Sequence, residues 1–300
     1  MNAAWLALAA LSLIWGYNWV VMKVCLKVVD PADFAALRTA IGALGLFLVL
    51  ILQRKTLRPR ELPWTLAIGL LSTAGGIGFV SWALTLGAVG KTAMLIYIMP
   101  FWVLLLAWPI LSERIQGMQW LAVILAFAGL IVLIEPLQMQ TTFWGSLLAV
   151  LSGLTWAAST IVIKIARRKI EFDLVSLTAW QMLLGAVPLV LIALLTPAPK
   201  IQWSFGFIAG LFYSSIISQS VALLLWFYIL QELPAGTASL GTLSTPVIGM
   251  VAAYIQLGER LSSWEITGTL LILMALAILS IQGLMPAKRI ARLTSREPHS

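Results

Sequence analysis

Charge, cysteine and histidine are all scarce in this chain. Of its 300 residues only 10% are charged, one is cysteine (Cys25) and one is histidine (His299). A single cysteine forbids an internal disulfide. Cys25 and His299 cannot furnish the three or four nitrogen and sulfur ligands of a zinc site. An intramembrane serine hydrolase needs a histidine base beside its nucleophile, and the lone histidine is the second-to-last residue. No G-x-x-x-x-G-K-[ST] segment occurs, so ATP is not a direct energy source. The eleven acids are Asp30, Asp33, Glu61, Glu113, Glu135, Glu171, Asp173, Glu232, Glu259, Glu265 and Glu297, and all fall at the ends of apolar runs or between them. Paired carboxylates on one face, as a lipid-transferring enzyme would use, are missing. The expectation is a protein that is no enzyme and has no metal or cofactor.

What is abundant is apolar surface. The chain is 61% hydrophobic and its mean hydropathy is +1.00, against roughly 45–50% apolar residues in soluble domains. The excess must face lipid. A helical span needs about 20 apolar residues, and the runs here are continuous rather than alternating, which argues against a transmembrane barrel. Ten spans are predicted, near 3–22, 33–52, 64–86, 92–111, 118–135, 143–164, 174–195, 204–230, 236–257 and 264–284. Turn signals at Asp30-Pro31, Leu62-Pro63, Glu135-Pro136 and Pro197-Ala198-Pro199 separate several of them. The first span lacks the basic start and the small-residue cleavage site of a signal peptide. The net charge of +8 lies in short clusters between spans, the pattern of a cytoplasmic membrane face rather than of a nucleic-acid surface. With the N-terminus inside, thirteen Lys and Arg fall on the cytoplasmic side and five on the other. Both termini are therefore expected in the cytoplasm, with a polar, frayed tail at 286–300.

The chain also repeats itself. Pro100 precedes Glu113-Arg114 by thirteen residues, and Pro246 precedes Glu259-Arg260 by the same distance, an offset of 146. Gly90 pairs with Gly236, and Ala93 with Ser239, at that offset. Trp15 pairs with Trp156 and Lys23 with Lys164 at 141; Arg38 and Gly42 pair with Gln181 and Gly185 at 143. Each half holds five predicted helices, so the second enters from the opposite side. Inverted repeats of this kind are a recurring plan of secondary transporters, with substrate near the midplane.

On the Trp15 and Trp156 segments, Arg38, and the two stretches ending Ser112-Glu113-Arg114 and Gly258-Glu259-Arg260, the chain resembles the drug/metabolite transporter superfamily. Its ten-helix type carries two EamA domains, placed here at 1–137 and 138–285. Within it, the resemblance is greatest to bacterial inner-membrane exporters of aromatic amino acids, which also handle methyl viologen. It implies an all-α membrane protein of ten transmembrane helices, two inverted five-helix repeats around a central cavity lined mainly by helices 1, 3, 4, 6, 8 and 9. Partners are then a small solute (amino acids and methyl viologen-like cations) and membrane lipid, with no nucleic acid and no required oligomer. Ser112 stands where the second half has Gly258, so the two turns need not match.

Several side chains are candidates to line such a cavity. Trp15, Asn18 and Trp19 share a stripe of helix 1 with Ser12 and Met22; Trp156 and Ser159 answer from helix 6. Aromatic faces deep in a span suit flat rings and organic cations, or pack against neighbouring helices. Helix 3 offers Phe79 and Trp82 after a glycine-rich stretch, and helix 4 offers Tyr97. Pro100 and Pro246 each remove a backbone hydrogen bond and are expected to kink their helices. Helix 8 holds the most polar run, with Gln219 its best candidate, and Ser244 lies beside Pro246 in helix 9. Arg38, about 8 Å below the start of helix 2, either binds a carboxylate, pairs with Asp33 or reaches the surface. Because no acid or histidine lies deep in a span, facilitated diffusion of neutral or zwitterionic solutes is expected rather than tight proton coupling.

Overall fold

In hydrocarbon every backbone N–H and C=O must find a partner within the protein, so long apolar runs fold as helices. The computed structural model describes residues 3–59, 61–134, 143–171, 173–233 and 244–294, without the side chains of 230, 231 and 283–294. Helices run α1 Ala3–Cys25, α2 Pro31–Leu52, α3 Leu62–Leu86, α4 Val89–Leu111, α5 Met118–Ile134, α6 Phe143–Arg167 and α7 Leu174–Leu195. They continue with α8 (Phe205–Phe212, Tyr213–Val221 and Ala222–Glu232), α9 Ser244–Leu257 and α10 Ser263–Thr294. Eight are long and apolar enough to cross a membrane; α5 and the described part of α9 are shorter apolar helices. No strand occurs among the described residues. The chain is a multi-pass membrane protein, and its outward surface fits: Leu194 and Leu195 are 77% and 80% exposed.

Most helix ends lie within three residues of the expected spans. Residues 236–243 of the ninth span, with Gly236 and Ser239 of the repeat and the Glu135-Pro136 turn, lie outside the described residues. α10 continues to Thr294, into the segment expected as a polar, frayed tail, whose residues 295–300 lie outside the described residues.

Local chemistry sets the ends. Asp30 caps α2 by accepting from Ala32 N–H at 2.8 Å, with Pro31 in the first turn. Asp173, at the matching place in the second half, caps α7 through Ser176 N–H at 2.9 Å. Ser262 and Glu265 exchange side chain-to-backbone bonds as a capping box at α10. α4 and α9 end alike. Ser112 (φ 58°) and Gly258 (φ 67°) are both left-handed. Glu113 N–H then donates back to Ala107 O at 3.3 Å, and Glu259 N–H to Ala253 O at 3.4 Å. The two turns therefore do match, and Ser112 tolerates a backbone conformation that favours glycine.

Packing has a simple rule. α1 lies on α8 and α9, α6 on α3 and α4, α2 on α7, α3 on α7, α8 on α2, and α5 on α10. Exchanging α1 with α6, α2 with α7, α3 with α8, α4 with α9 and α5 with α10 carries this set of contacts onto itself. Glycines permit the closest approaches. A Cβ on Gly69 of α3 would stand 2.5 Å from Gln181 O of α7, and one on Gly185 would be 2.5 Å from Thr73 Cβ and against the Gly69 carbonyl. The ends are also fixed. Glu259, after α9, binds the N–H of Val89 at the start of α4, while Glu113 follows the end of α4, at the far side of the bundle.

Two outcomes are expected from this framework. Gly185→Ala forces α3 from α7 and lowers stability by about 1–3 kcal/mol, whereas Gly206→Ala, with open space around it, leaves the detergent melting temperature within about 1 °C of wild type. Burial pushes the Asp173 carboxyl up, but the hydrogen bonds from Lys55 and from Ser176 N–H outweigh it and hold it below its ordinary value. A depressed carboxyl stabilises above its unfolded value and loses that contribution as pH falls through its folded one. Melting temperature should therefore fall less between neutral pH and pH 3 in Asp173→Asn than in wild type.

Candidate functional site

The two tryptophans paired by the repeat perform the same task. Trp15 Nε1 donates to Ser218 O of α8 at 3.0 Å. Trp156 Nε1 donates to Ser72 O of α3 at 2.6 Å. Both acceptors sit in π-helical stretches, Gly69–Ile77 in α3 and Tyr213–Val221 in α8. The wider π turn leaves a carbonyl's second lone pair open to a side chain, and such turns gather at functional sites. Further cross-links converge on the same segments. Ser152 Oγ donates to Gly76 O at 2.8 Å, Ser220 Oγ to Gly42 O at 3.0 Å, and Tyr213 Oη to Ile14 O at 3.0 Å. Trp15 also leans on Trp226 (6.1 Å between centroids), and the Trp156 indole lies flush on Gly76, where no Cβ would fit.

The other sequence candidates are distributed as follows. Asn18 is buried, its amide nitrogen directed at Met22 Sδ and its Oδ1 without a partner. Trp19 is buried against Gly249 of α9. Trp82 packs with Ala35, Ala36 and Leu189, toward α2 and α7. Phe79 is half-buried. Ser159 is buried and spends its hydroxyl on Trp156 O. Gln219 is half-buried, with Nε2 unpartnered and Oε1 facing Gly42. Tyr97 sits at a break in α4, beside Thr245 of α9. Ser244 is exposed at the first described position of α9.

The prolines act differently from a simple kink. α4 is interrupted at Tyr97–Ile98, and Pro100 falls in the first turn of the restarted segment Met99–Leu111. There its missing N–H costs nothing. The Ile96 carbonyl, which residue 100 would otherwise bond, turns toward Gly153 of α6. Pro246 is buried near the start of the described part of α9; Thr242, its would-be acceptor, lies outside the described residues. Pro100 also lines a cavity of about 480 Å³ with Met99, Leu104, Thr160, Leu279 and Gln282. Its walls come from α4, α5, α6 and α10, in the half of the bundle toward Glu113.

Sequence reasoning missed the most polar feature, a charged latch at the other end. Lys23, closing α1, donates to the Leu84 and Gly87 carbonyls at the end of α3, the second at 2.8 Å. Glu259 holds Val89 N–H through both oxygens, at 2.8 and 3.1 Å, and its charge acts on Lys23. At the opposite end the repeat-related residues meet directly: Lys164 Nζ lies 2.8 Å from Glu113 Oε2, with Arg168 at 3.9 Å from Oε1. The signal was available, since the offsets pair Lys23 with Lys164 and Glu113 with Glu259.

Arranged this way, the chain is a helical membrane protein of the carrier type, with duplicated polar locks joining two similar halves. It belongs to the EamA-like transporter family, which matches residues 2–135 and again 143–281. Relatives include the uncharacterized transporter YoaV of Bacillus subtilis, 29% identical over 89% of this chain and 93% of its own. Probable amino-acid metabolite efflux pumps of Salmonella typhimurium (28% identical) and Escherichia coli (26%) each match over 88% of this chain and 90% of theirs. A crystal structure of a protein 18% identical superposes with a TM-score of 0.65, over 94% of this chain and 97% of its own; that likeness fixes the fold alone. The protein is thus a transporter, not an enzyme.

Trp15→Phe and Trp156→Phe each remove one indole donor while keeping most of the ring. Each should cost about 1 kcal/mol of stability, and the two losses should agree within about 0.5 kcal/mol and add in the double variant. Thermal or denaturant unfolding in detergent measures this.

Proposed function

We propose that the protein is a secondary carrier that exports amino acids, above all aromatic and hydrophobic ones, across a bacterial inner membrane. Its ten spans work as two inverted five-helix repeats, 1–137 and 138–285, around a central path, with both termini cytoplasmic. Transport runs down the solute's own gradient, since no acid among the described residues lies deep in a span. Two relatives named as probable amino-acid metabolite efflux pumps support the solute class.

The observation that carries the alternating-access reading is the unequal use of equivalent charges. Lys23 grips backbone carbonyls of α3, and Glu259 grips an amide of α4. Lys164 and Glu113 hold one another, at 41% and 45% side-chain exposure. At one end these charges hold backbone groups of neighbouring helices; at the other the equivalent residues form a solvated ion pair. With the Lys23 latch on the periplasmic side, as the positive-inside bias supports, we read this arrangement as an inward-leaning state. In the outward state the roles exchange, with Lys164 taking carbonyls at the end of α8.

Counterflow in proteoliposomes against a panel of amino acids and organic cations tests the function. Saturable uptake of phenylalanine or tryptophan, inhibited by the unlabelled solute and indifferent to an uncoupler, is expected. Accumulation driven by an imposed pH gradient would sink the passive mechanism. Cys25, buried two residues beyond the latch and the only cysteine, reports the gate. Lys23→Met should raise its alkylation rate by an impermeant maleimide added from the periplasmic side about fivefold or more, the effect of roughly 1 kcal/mol on the opening equilibrium.

A further inference from the structure

Arg38 presents an unsolved charge. It lies on α2, seven residues after Pro31 and so about 10 Å along the helix from the Lys23 end, and is only 7% exposed. A guanidinium stays protonated in proteins and carries five donors. Among the described residues its one hydrogen bond runs from Nε to Ser214 O, at a long 3.4 Å. No carboxylate among the described residues forms an ion pair with it, Asp33 of the same helix included. A buried cation without a counter-charge is strongly unfavourable.

The surroundings deepen the deficit. Ser214 Oγ and Thr39 Oγ1 are fully buried and without partners. Thr39 follows Arg38 in α2, and Ser214 is the residue whose carbonyl Arg38 touches. Gln219, further along the same π segment, faces Gly42 of α2 with its Oε1 and leaves its Nε2 unpartnered. Orphan buried groups of this kind mark a place where water or a ligand completes the network. Here the set is a planar cation with two hydroxyls and an amide N–H₂, rich in donors and carrying a net positive charge. Its complement is a carboxylate, which takes a guanidinium through two oxygens and accepts several further bonds.

We propose that Arg38, with Thr39 and Ser214, forms the binding site for the carboxylate of the transported solute, in the half of the protein beneath the Lys23 latch. This rests on the amino-acid reading above and narrows it: the carrier selects carboxylates, and organic cations are not substrates of this site. The α-amino group and the ring would be read elsewhere on the path. Because the site adjoins the π segment of α8, filling it tightens the contact between α2 and α8 at the one place where α2 carries a positive charge.

Binding to the purified full-length protein in detergent tests the site without any transport step. Intrinsic tryptophan fluorescence is titrated with phenylalanine, with its decarboxylated amine phenethylamine, with benzoate and with sodium chloride. Phenylalanine and benzoate should saturate, and phenethylamine should bind at least about tenfold more weakly. Arg38→Gln, which installs the residue found at the repeat-related position 181, should weaken both carboxylates about 10- to 100-fold. Arg38→Lys, keeping the charge without the fork, should fall between. Equal binding of amine and amino acid, or unchanged carboxylate affinity in Arg38→Gln, overturns the assignment. So does saturation by chloride that benzoate cannot displace. Should Arg38→Gln fail to fold, the wild-type comparison of phenylalanine with phenethylamine and of benzoate with chloride decides the matter alone. Amino-acid counterflow absent in wild type while benzoate still binds through Arg38 would defeat the transport reading and leave the carboxylate site standing.

Discussion

A backbone carbonyl turned toward hydrocarbon has no water to bond, and this protein depends on how it answers that fact. At both π-helical segments, side chains from other helices supply the donors. Trp156 and Ser152 serve the π segment of α3; Trp15 and Arg38 serve that of α8. Lys23 serves the last turn of α3 and the residue beyond it, and Tyr213 and Ser220 reach Ile14 and Gly42. These bonds join helices distant in sequence, several of them across the two halves. Irregular helices are thus the seams where the bundle is sewn together, and a departure from regularity in one half calls for a donor in the other.

The seams sit where the pathway of a carrier is expected, and this gives the aromatic side chains a double duty. An indole whose N–H is committed to a carbonyl cannot use it on a solute, but its ring face remains available. Trp15 and Trp156 are consequently poor candidates for hydrogen bonding to substrate and good ones for holding a wall in place. In the proposed carrier, polar recognition then falls to atoms left without partners, Asn18 Oδ1, Thr39 Oγ1, Ser214 Oγ and Gln219 Nε2 among them.

Much of the fold was legible in the sequence because two strong physical signals were present. Length and continuity of apolar runs placed the helices, and the spacing from Pro100 to Glu113 and from Pro246 to Glu259 linked the halves. Arg38 was noticed as anomalous from its position alone, although its neighbour across the interface was not foreseen. Three features could not be read. A π turn has no residue signature of its own: Gly69–Ile77 is glycine-rich while Tyr213–Val221 is serine-rich. The break at Tyr97–Ile98 moves Pro100 from a kink to a helix start, a change of register that composition does not encode. Ser112 takes the left-handed conformation of Gly258, because Glu113 N–H must still reach the Ala107 carbonyl.

A perfectly duplicated machine would rest equally in either orientation. Here a partly sheltered ammonium on fixed peptide dipoles is set against an ion pair open to the electrolyte. Mobile ions weaken the second far more than the first. For the alternating carrier proposed above, the ionic strength on the Glu113 side becomes a bias on which way it points, a dependence that arises only because the two copies have drifted apart in what they ask their lysines to hold.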